Sequence, residues 1–98
     1  AALAAATNGA GVPWTVVRIR QPDVLWDGLV NPVVRTYTNG LIVNDRVIVP
    51  VYGIPDDAEA LATYAALFPG KTLVPLNANG IITSAGAWHC VTMEFPAP

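Results

Sequence analysis

Charged side chains are scarce in this sequence of 98 residues. Only 12% of the residues are charged and 53% are hydrophobic, whereas about 25% are charged in an average globular domain. A chain with so few charges cannot cover its own surface with them. We therefore expect part of that surface to lie against the rest of a longer polypeptide or against another subunit.

Other absences exclude whole classes of function. The five basic residues are scattered and the net charge is −2, so a nucleic-acid partner bound through its phosphates is not expected. No apolar run approaches about 18 residues, so no membrane-spanning helix is predicted. One cysteine excludes an internal disulfide and leaves the compartment open, with the cytoplasm favoured. The first residue is not methionine, which suits a fragment or a processed product.

The first third of the chain carries weak local signals. Residues 1–7 read as the end of a helix that stops at Asn8-Gly9, where a left-handed cap is favoured. Side chains alternate along residues 14–20 as they do in a strand. Prolines and the Asp27-Gly28 pair predict a loop over residues 21–34.

The remainder predicts a small α/β unit. Apolar strands flank Asn44-Asp45 as a hairpin, and their nearly continuous apolar character suggests burial on both faces. Asp56 and Glu59 form a capping pair for a helix that ends at Pro69-Gly70. These acidic residues, with Asp57, could also hold a metal, but a helix N-terminus explains them and no metal site is predicted. Strands are predicted at residues 71–76 and, after a turn, up to Cys90.

Residues 84–92 are the one stretch whose residue types suggest a catalytic site. A turn of small residues around Gly86, which would let a substrate approach the backbone, precedes the only histidine and the only cysteine of the chain. Cys90 suits a nucleophile, although a free cysteine is also common as a small buried apolar residue. On a strand His89 would face away from the thiol. A separate Cys-His hydrolase or a redox pair is disfavoured, because there is no second histidine or cysteine.

Several separate motifs, in one order and spacing, resemble the C-terminal end of agmatine deiminases and Porphyromonas-type peptidylarginine deiminases. They are residues 37–39 with 47–50, residues 56–61, residues 67–69 and residues 86–92. The resemblance implies a five-bladed α/β propeller of ββαβ modules with the active site on its axis. Residues 35–98 would form one such module, residues 1–34 the helix end, strand and loop before it, and the whole chain a partial domain.

The same resemblance implies a reaction. Cys90 would attack the guanidinium carbon of an arginine-like group, in a small molecule such as agmatine or in a peptidyl arginine, and a thiouronium intermediate would be hydrolysed to a ureido group. Asn39, Tyr37 and Gly86 are the candidate substrate contacts, and no cofactor is expected. The acid/base histidine and the guanidinium-binding carboxylates of the family lie upstream of the matched motifs.

We therefore expect the 98 residues alone to be inactive and to need the remainder of a deiminase chain or a homo-oligomeric partner. The alternative is a free-standing, non-catalytic α/β module that associates with copies of itself.

Overall fold

A computed structural model of the chain describes residues 2–98 and contains two helices and five strands. The elements, in chain order, are α1 (Ala2–Ala5), β1 (Leu25–Asp27), β2 (Asn31–Val33), β3 (Leu41–Val43), β4 (Arg46–Val51), α2 (Asp56–Leu67) and β5 (Thr72–Asn77). A short 3₁₀ turn, Ile82–Ser84, follows β5. None of these helices has the length and hydropathy that a membrane span requires.

The segment β3–β4–α2–β5 is a ββαβ unit built on a three-stranded sheet of order β3-β4-β5. The predicted hairpin is confirmed: β3 and β4 are antiparallel, Leu41 pairs with Ile48, and Asn44 takes a positive φ of 50° in the turn. The predicted helix lets β5 return parallel to β4. The α/β class and this arrangement of elements therefore follow from local pattern.

The core lies in two clusters joined through Ile19. Val47 and Val49 of β4 pack beneath Tyr64 of α2, and Tyr37 and Tyr52 contribute to the second cluster. The prediction that both faces of the hairpin are buried is only partly right. Ile42 and Val43 are exposed, because within residues 2–98 the helix covers β4 and leaves the outer strand open.

The capping pair predicted for α2 is wrong. Pro55 occupies the N-cap, and neither Asp56 nor Glu59 caps the helix. Asp57 instead accepts hydrogen bonds from the backbone N–H groups of residues 52, 53 and 54, at 2.8 to 3.2 Å. Asp56 pairs with Arg20 at 3.7 Å. The carboxylate one position further along therefore satisfies the backbone donors of the loop that enters the helix.

The first third of the chain departs most from its predictions. Residues 14–20 form no strand, because no neighbouring strand among the described residues pairs with them; the nearest pairing is the isolated bridge between Thr7 and Pro13. The predicted loop contains the hairpin β1–β2. The helix end covers Ala2–Ala5, Ala1 lies outside the described residues, and the positive φ falls at Gly11 rather than at Asn8-Gly9.

The terminal strand predicted to carry Cys90 is also absent. After the 3₁₀ turn Ala85 adopts a left-handed conformation (φ 64°), and residues 88–91 form turns. The indole of Trp88 donates to the carbonyl of Leu76 at 2.9 Å. Because these small residues bend back onto β5, Cys90 lies on a loop beyond the sheet.

The molecule is flat, with extents of 48 × 38 × 24 Å and a radius of gyration of 15.3 Å. A compact domain of this length has a radius of gyration of about 13 Å. The extra breadth comes with exposed apolar side chains such as Trp14, Trp26, Leu29 and Val30. The expectation of an incompletely covered surface is thus met in these residues.

Candidate active site

The candidate site lies at one edge of the three-stranded sheet. Because β4 and β5 are parallel, their carboxyl ends meet at the same edge, and the antiparallel β3 begins there. Asn39 lies two residues before the start of β3, the loop before α2 follows β4, and the loop with Cys90 follows β5. Carboxyl ends of parallel strands are where open α/β sheets commonly place their ligands.

Asn39 holds the turn that carries Cys90. Its Oδ1 accepts hydrogen bonds from the backbone N–H groups of Ala87, at 3.0 Å, and Cys90, at 3.2 Å. Its Nδ2 donates to the Cys90 Sγ at 2.9 Å. The Asn39 carbonyl also accepts from the backbone N–H of His89 at 3.3 Å. One half-buried amide thereby fixes both the backbone and the sulfur of a loop 51 residues away in sequence.

Cys90 is exposed, and its sulfur is free of any disulfide. The reading of this cysteine as a buried apolar residue is therefore wrong. A thiol that is open to solvent and fixed by a donor can be approached by an electrophile from its open side. Three surface pockets, of about 670, 590 and 240 Å³, are lined by other residues.

Gly86 is buried directly against Cys90. A Cβ atom at this position would lie 2.7 Å from the Cys90 Cβ and 3.4 Å from its Sγ. Carbon atoms in contact normally lie about 3.5–4.0 Å apart. Because glycine has no side chain, residue 86 leaves room for Cys90 at this position. This role is separate from any contact between the Gly86 backbone and a substrate.

Tyr37, the third residue named with the substrate contacts, has no exposed surface. Its hydroxyl donates to the Asp57 carboxylate at 2.7 Å, and its carbonyl accepts from the hydroxyl of Tyr64, also at 2.7 Å. The side chain is thus committed to the interior of the described chain. Within residues 2–98, its hydroxyl is therefore not available to a substrate.

The electrostatics of this pair favour a neutral tyrosine beside a charged carboxylate. Burial, together with the hydrogen bond to Asp57, raises the pKa of Tyr37 well above its usual value. Burial alone would raise the pKa of Asp57, but the hydrogen bonds from the Tyr37 hydroxyl and from three backbone N–H groups outweigh burial and lower it. Asp57 is therefore a fixed, ionised acceptor.

His89 is exposed, and its side chain makes no hydrogen bond to Cys90 in the described structure. The strand alternation from which its orientation was predicted does not exist, because residues 88–91 are turns. Across residues 2–98, no group of three or more His, Cys, Asp and Glu side chains comes together in a way that could hold a metal ion.

Sequence reasoning missed the residues that fix the site. The roles of Asp57 and of the Trp88 indole depend on partners several to many residues away. Gly40 is similar, since a Cβ there would lie 2.9 Å from the Ile48 carbonyl oxygen and 3.0 Å from the Tyr64 hydroxyl. The one local signal for these residues was the Asn39-Gly40 pair before an apolar strand, and this pair is equally typical of an ordinary turn.

Comparison with known proteins agrees with the resemblance. The agmatine deiminase of Pseudomonas putida is 40% identical over 63 residues, which cover 64% of this chain and 17% of that protein. A Porphyromonas gingivalis structure, provisionally assigned as an arginine deiminase, has a TM-score of 0.87 and 33% identity over 96% of this chain and 27% of its own. The agmatine deiminase of Enterococcus faecalis has a TM-score of 0.71 and 28% identity, covering 89% of this chain and 28% of its own.

This chain thus spans about a sixth of the curated relative's length, as the 17% coverage gives, and about a quarter of each solved relative. The sequence profile of the Porphyromonas-type peptidyl-arginine deiminases matches residues 1–96. The match covers the Asn39 segment, the ββαβ unit and the Cys90 loop together. The chain belongs to the Porphyromonas-type peptidyl-arginine deiminase family.

Proposed function

We propose that this chain is the C-terminal part of a guanidine deiminase and supplies its nucleophile, Cys90. The carrying observation is that Cys90 is an exposed residue whose sulfur is held by Asn39 at the carboxyl edge of the parallel strands. A fixed, accessible thiol is what attack on a planar cationic carbon requires, because the sulfur must approach along one direction. Because the chain belongs to the peptidyl-arginine deiminase family, we infer that the group attacked is an arginine-like guanidinium.

The proposed reaction has two stages. The Cys90 thiolate adds to the guanidinium carbon, a C–N bond breaks, and ammonia leaves with a proton from an acid/base group that this chain does not contribute. The resulting S-alkylthiouronium cation takes up water, the C–S bond breaks, and a ureido group and the thiol are released. The balance is one guanidinium and one water converted to one ureido group and one ammonium ion.

Asn39 has two parts in this proposal. It holds the loop of Cys90, and its position beside the sulfur makes it a candidate contact for the bound guanidinium. The Gly86 backbone is the second candidate contact. The substrate is either a small molecule such as agmatine or a peptidyl arginine, and the ββαβ unit is one module of a five-bladed propeller.

An open surface supports the need for more polypeptide. The chain exposes 6890 Å², whereas a compact protein of this mass exposes about 5,400 Å². The excess is roughly twice the area that each partner buries in a standard protein interface, about 800 Å². We propose that the remainder of a deiminase chain covers it and brings the acid/base group and the carboxylates to Cys90. The isolated 98 residues are then inactive.

A graft tests the proposal. Residues 2–98 replace the superposed segment of the Enterococcus faecalis agmatine deiminase, and ammonia and ureido product are measured with agmatine and with an arginine peptide. We expect turnover by the graft and a loss of about a thousandfold or more in Cys90→Ser, because the serine hydroxyl stays protonated. Equal turnover by the two grafts, with melting curves that match, would refute the role of Cys90.

Two further measurements complete the test. Turnover by the isolated chain would overturn the prediction that it is inactive. A discrete homo-oligomer in solution, with no turnover by the graft, would favour the self-associating module instead. Faster labelling of Cys90 in the graft by chloroacetamidine than by its neutral amide analogue, relative to free cysteine, would support a site that recognises a planar cation.

A further inference from the structure

In the segment before β3, the backbone of residues 36 and 37 is hydrogen-bonded at every polar group. The Tyr52 hydroxyl donates to the Thr36 carbonyl at 2.8 Å and accepts from the Thr36 N–H at 3.1 Å. The Tyr37 N–H donates to the side-chain oxygen of Gln21 at 2.8 Å. With the bond from the Tyr64 hydroxyl to the Tyr37 carbonyl, two tyrosines and one glutamine side chain bind all four backbone polar groups of two consecutive residues, far more hydrogen bonding than a simple connection requires.

Tyr37 is the centre of this arrangement. Its hydroxyl donates to Asp57 at the start of α2, and its carbonyl accepts from the hydroxyl of Tyr64, about two helical turns further along the same face. Asp57 is itself fixed by the backbone of the loop after β4. The helix thereby holds Tyr37 at two points, one on its side chain and one on its backbone.

The same helix confines the residue on the other side of Asn39. Gly40 lies so close to the Ile48 carbonyl and the Tyr64 hydroxyl that a Cβ atom would overlap both, at 2.9 and 3.0 Å. Asn39 is thus bounded by Tyr37 and Gly40, and both contact Tyr64. The only amide that holds the Cys90 sulfur in residues 2–98 projects from a segment with little freedom to move.

We propose that Tyr37 is a positioning residue for the nucleophile, acting through Asn39: its bonds to Asp57 and Tyr64 set the place of the Asn39 amide, and that amide sets the place of the Cys90 sulfur. The catalytic part of this inference rests on the proposed function. The structural part, that Tyr37 controls the Cys90 loop through Asn39, can be tested independently.

The hydroxyl group carries the effect. Tyr37→Phe keeps the buried ring and removes only the bond to Asp57, so the core stays filled. Release of this bond loosens the backbone two residues before Asn39. A sulfur that samples a wider range of positions spends less time in line with the guanidinium carbon, so turnover falls while substrate affinity is kept.

A double-mutant cycle tests the coupling in the chain of 98 residues. Amide hydrogen exchange at Ala87 and Cys90, whose N–H groups bind Asn39, is measured for the unchanged chain, Tyr37→Phe, Asn39→Ala and the double variant. We expect Tyr37→Phe to speed exchange about tenfold. In the Asn39→Ala background it should add nothing, because the connection is already cut.

The graft gives the catalytic arm. Tyr37→Phe is expected to lower kcat about tenfold with KM unchanged, and to have no further effect beside Asn39→Ala. Leu73→Ala is the control for stability, since Leu73 packs in the cluster around Val47 and makes none of these bonds. It should lower the melting temperature and leave kcat and the relative exchange of the two amides unchanged.

Each outcome decides the matter. The inference is overturned if Tyr37→Phe has the same effect in the Asn39 chain as in the Asn39→Ala background. It is also overturned if the Ala87 and Cys90 amides of Tyr37→Phe exchange as slowly as those of the unchanged chain. If the graft is inactive even without substitutions, the proposed function fails while the exchange cycle still tests positioning. If Tyr37→Phe does not fold, Tyr64→Phe, which removes the bond to the Tyr37 carbonyl, replaces it in the same cycle with the same expectations.

Discussion

Replacing Gly86 with alanine tests the central geometry of the site with one methyl group. The added Cβ would lie 2.7 Å from the Cys90 Cβ, and a normal carbon contact is about 3.5–4.0 Å. Cys90 or the backbone at residue 86 must therefore move by about 1 Å. Gly86 has no positive φ, so an alanine is not strained by its backbone conformation, and the effect is steric alone.

The displacement has two expected consequences. Overpacking of this kind lowers the free energy of unfolding by about 1–3 kcal/mol. A misplacement of about 1 Å at the reacting atom lowers kcat/KM about a hundredfold. The second effect is measured in the graft by release of ammonia, and the first by urea denaturation of the chain itself.

Gly80→Ala is the matched control for this substitution. Nothing lies within 4 Å of a Cβ at Gly80, which also lacks a positive φ. Its alanine variant should therefore retain the unfolding free energy and the turnover. If Gly86→Ala and Gly80→Ala behave alike in both assays, the close contact between Gly86 and Cys90 does not govern the position of the sulfur.

Three further predictions concern charge and pH. Asn39→Asp keeps the acceptor for the loop but replaces the donor beside the Cys90 sulfur with a negative oxygen. Alkylation of this single cysteine by iodoacetamide should then slow about tenfold or more, because the thiolate is the reactive form and a negative neighbour disfavours it. The control Asn31→Asp makes the same charge change elsewhere and should have little effect. Because the pKa of Asp57 is lowered in the folded chain, its ionised carboxylate stabilises the fold above the unfolded pKa of about 3.9, and this stabilisation is lost as the pH falls towards the folded value. Asp57→Asn should lower the free energy of unfolding by about 2–4 kcal/mol at neutral pH. It should also flatten the acid side of a plot of the urea midpoint against pH. Because the pKa of Tyr37 is raised in the folded chain, its neutral hydroxyl stabilises the fold below about pH 10, and this stabilisation is lost as the pH rises beyond that. Tyr37→Phe should therefore flatten the alkaline side of the same plot of urea midpoint against pH. An unchanged slope on that side would contradict the burial of the Tyr37 hydroxyl.

Local pattern was sufficient for the ββαβ unit. The Asn44-Asp45 turn, the apolar runs on either side of it and the helix ending near Pro69 all depend on residues close in sequence. The same kind of reasoning failed where neighbours in space decide the outcome. Residues 14–20 alternate like a strand, but a strand needs a partner for its backbone, and none lies beside them in residues 2–98.

The candidate site was predicted in part. Cys90 was named from its small-residue context and from the family resemblance, and Asn39 from the resemblance alone. Their contact, at a sequence separation of 51, has no signature in spacing or periodicity. Tyr37 carried the same motif signal as Asn39, and only its burial separates the two. The strand predicted for Cys90 failed because runs of small and apolar residues suit a tight loop as well as an extended strand.

The long separation between Asn39 and Cys90 also orders events during folding. Hairpins and helices form from near neighbours, whereas joining distant points costs chain entropy that is recovered only once the ends have met. Until that contact forms, Asn39 does not fix the Cys90 sulfur, which reacts as an unselective thiol. We therefore expect the Asn39–Cys90 contact to form among the last steps of folding, and the reactivity of this single cysteine after dilution from denaturant records when it has formed.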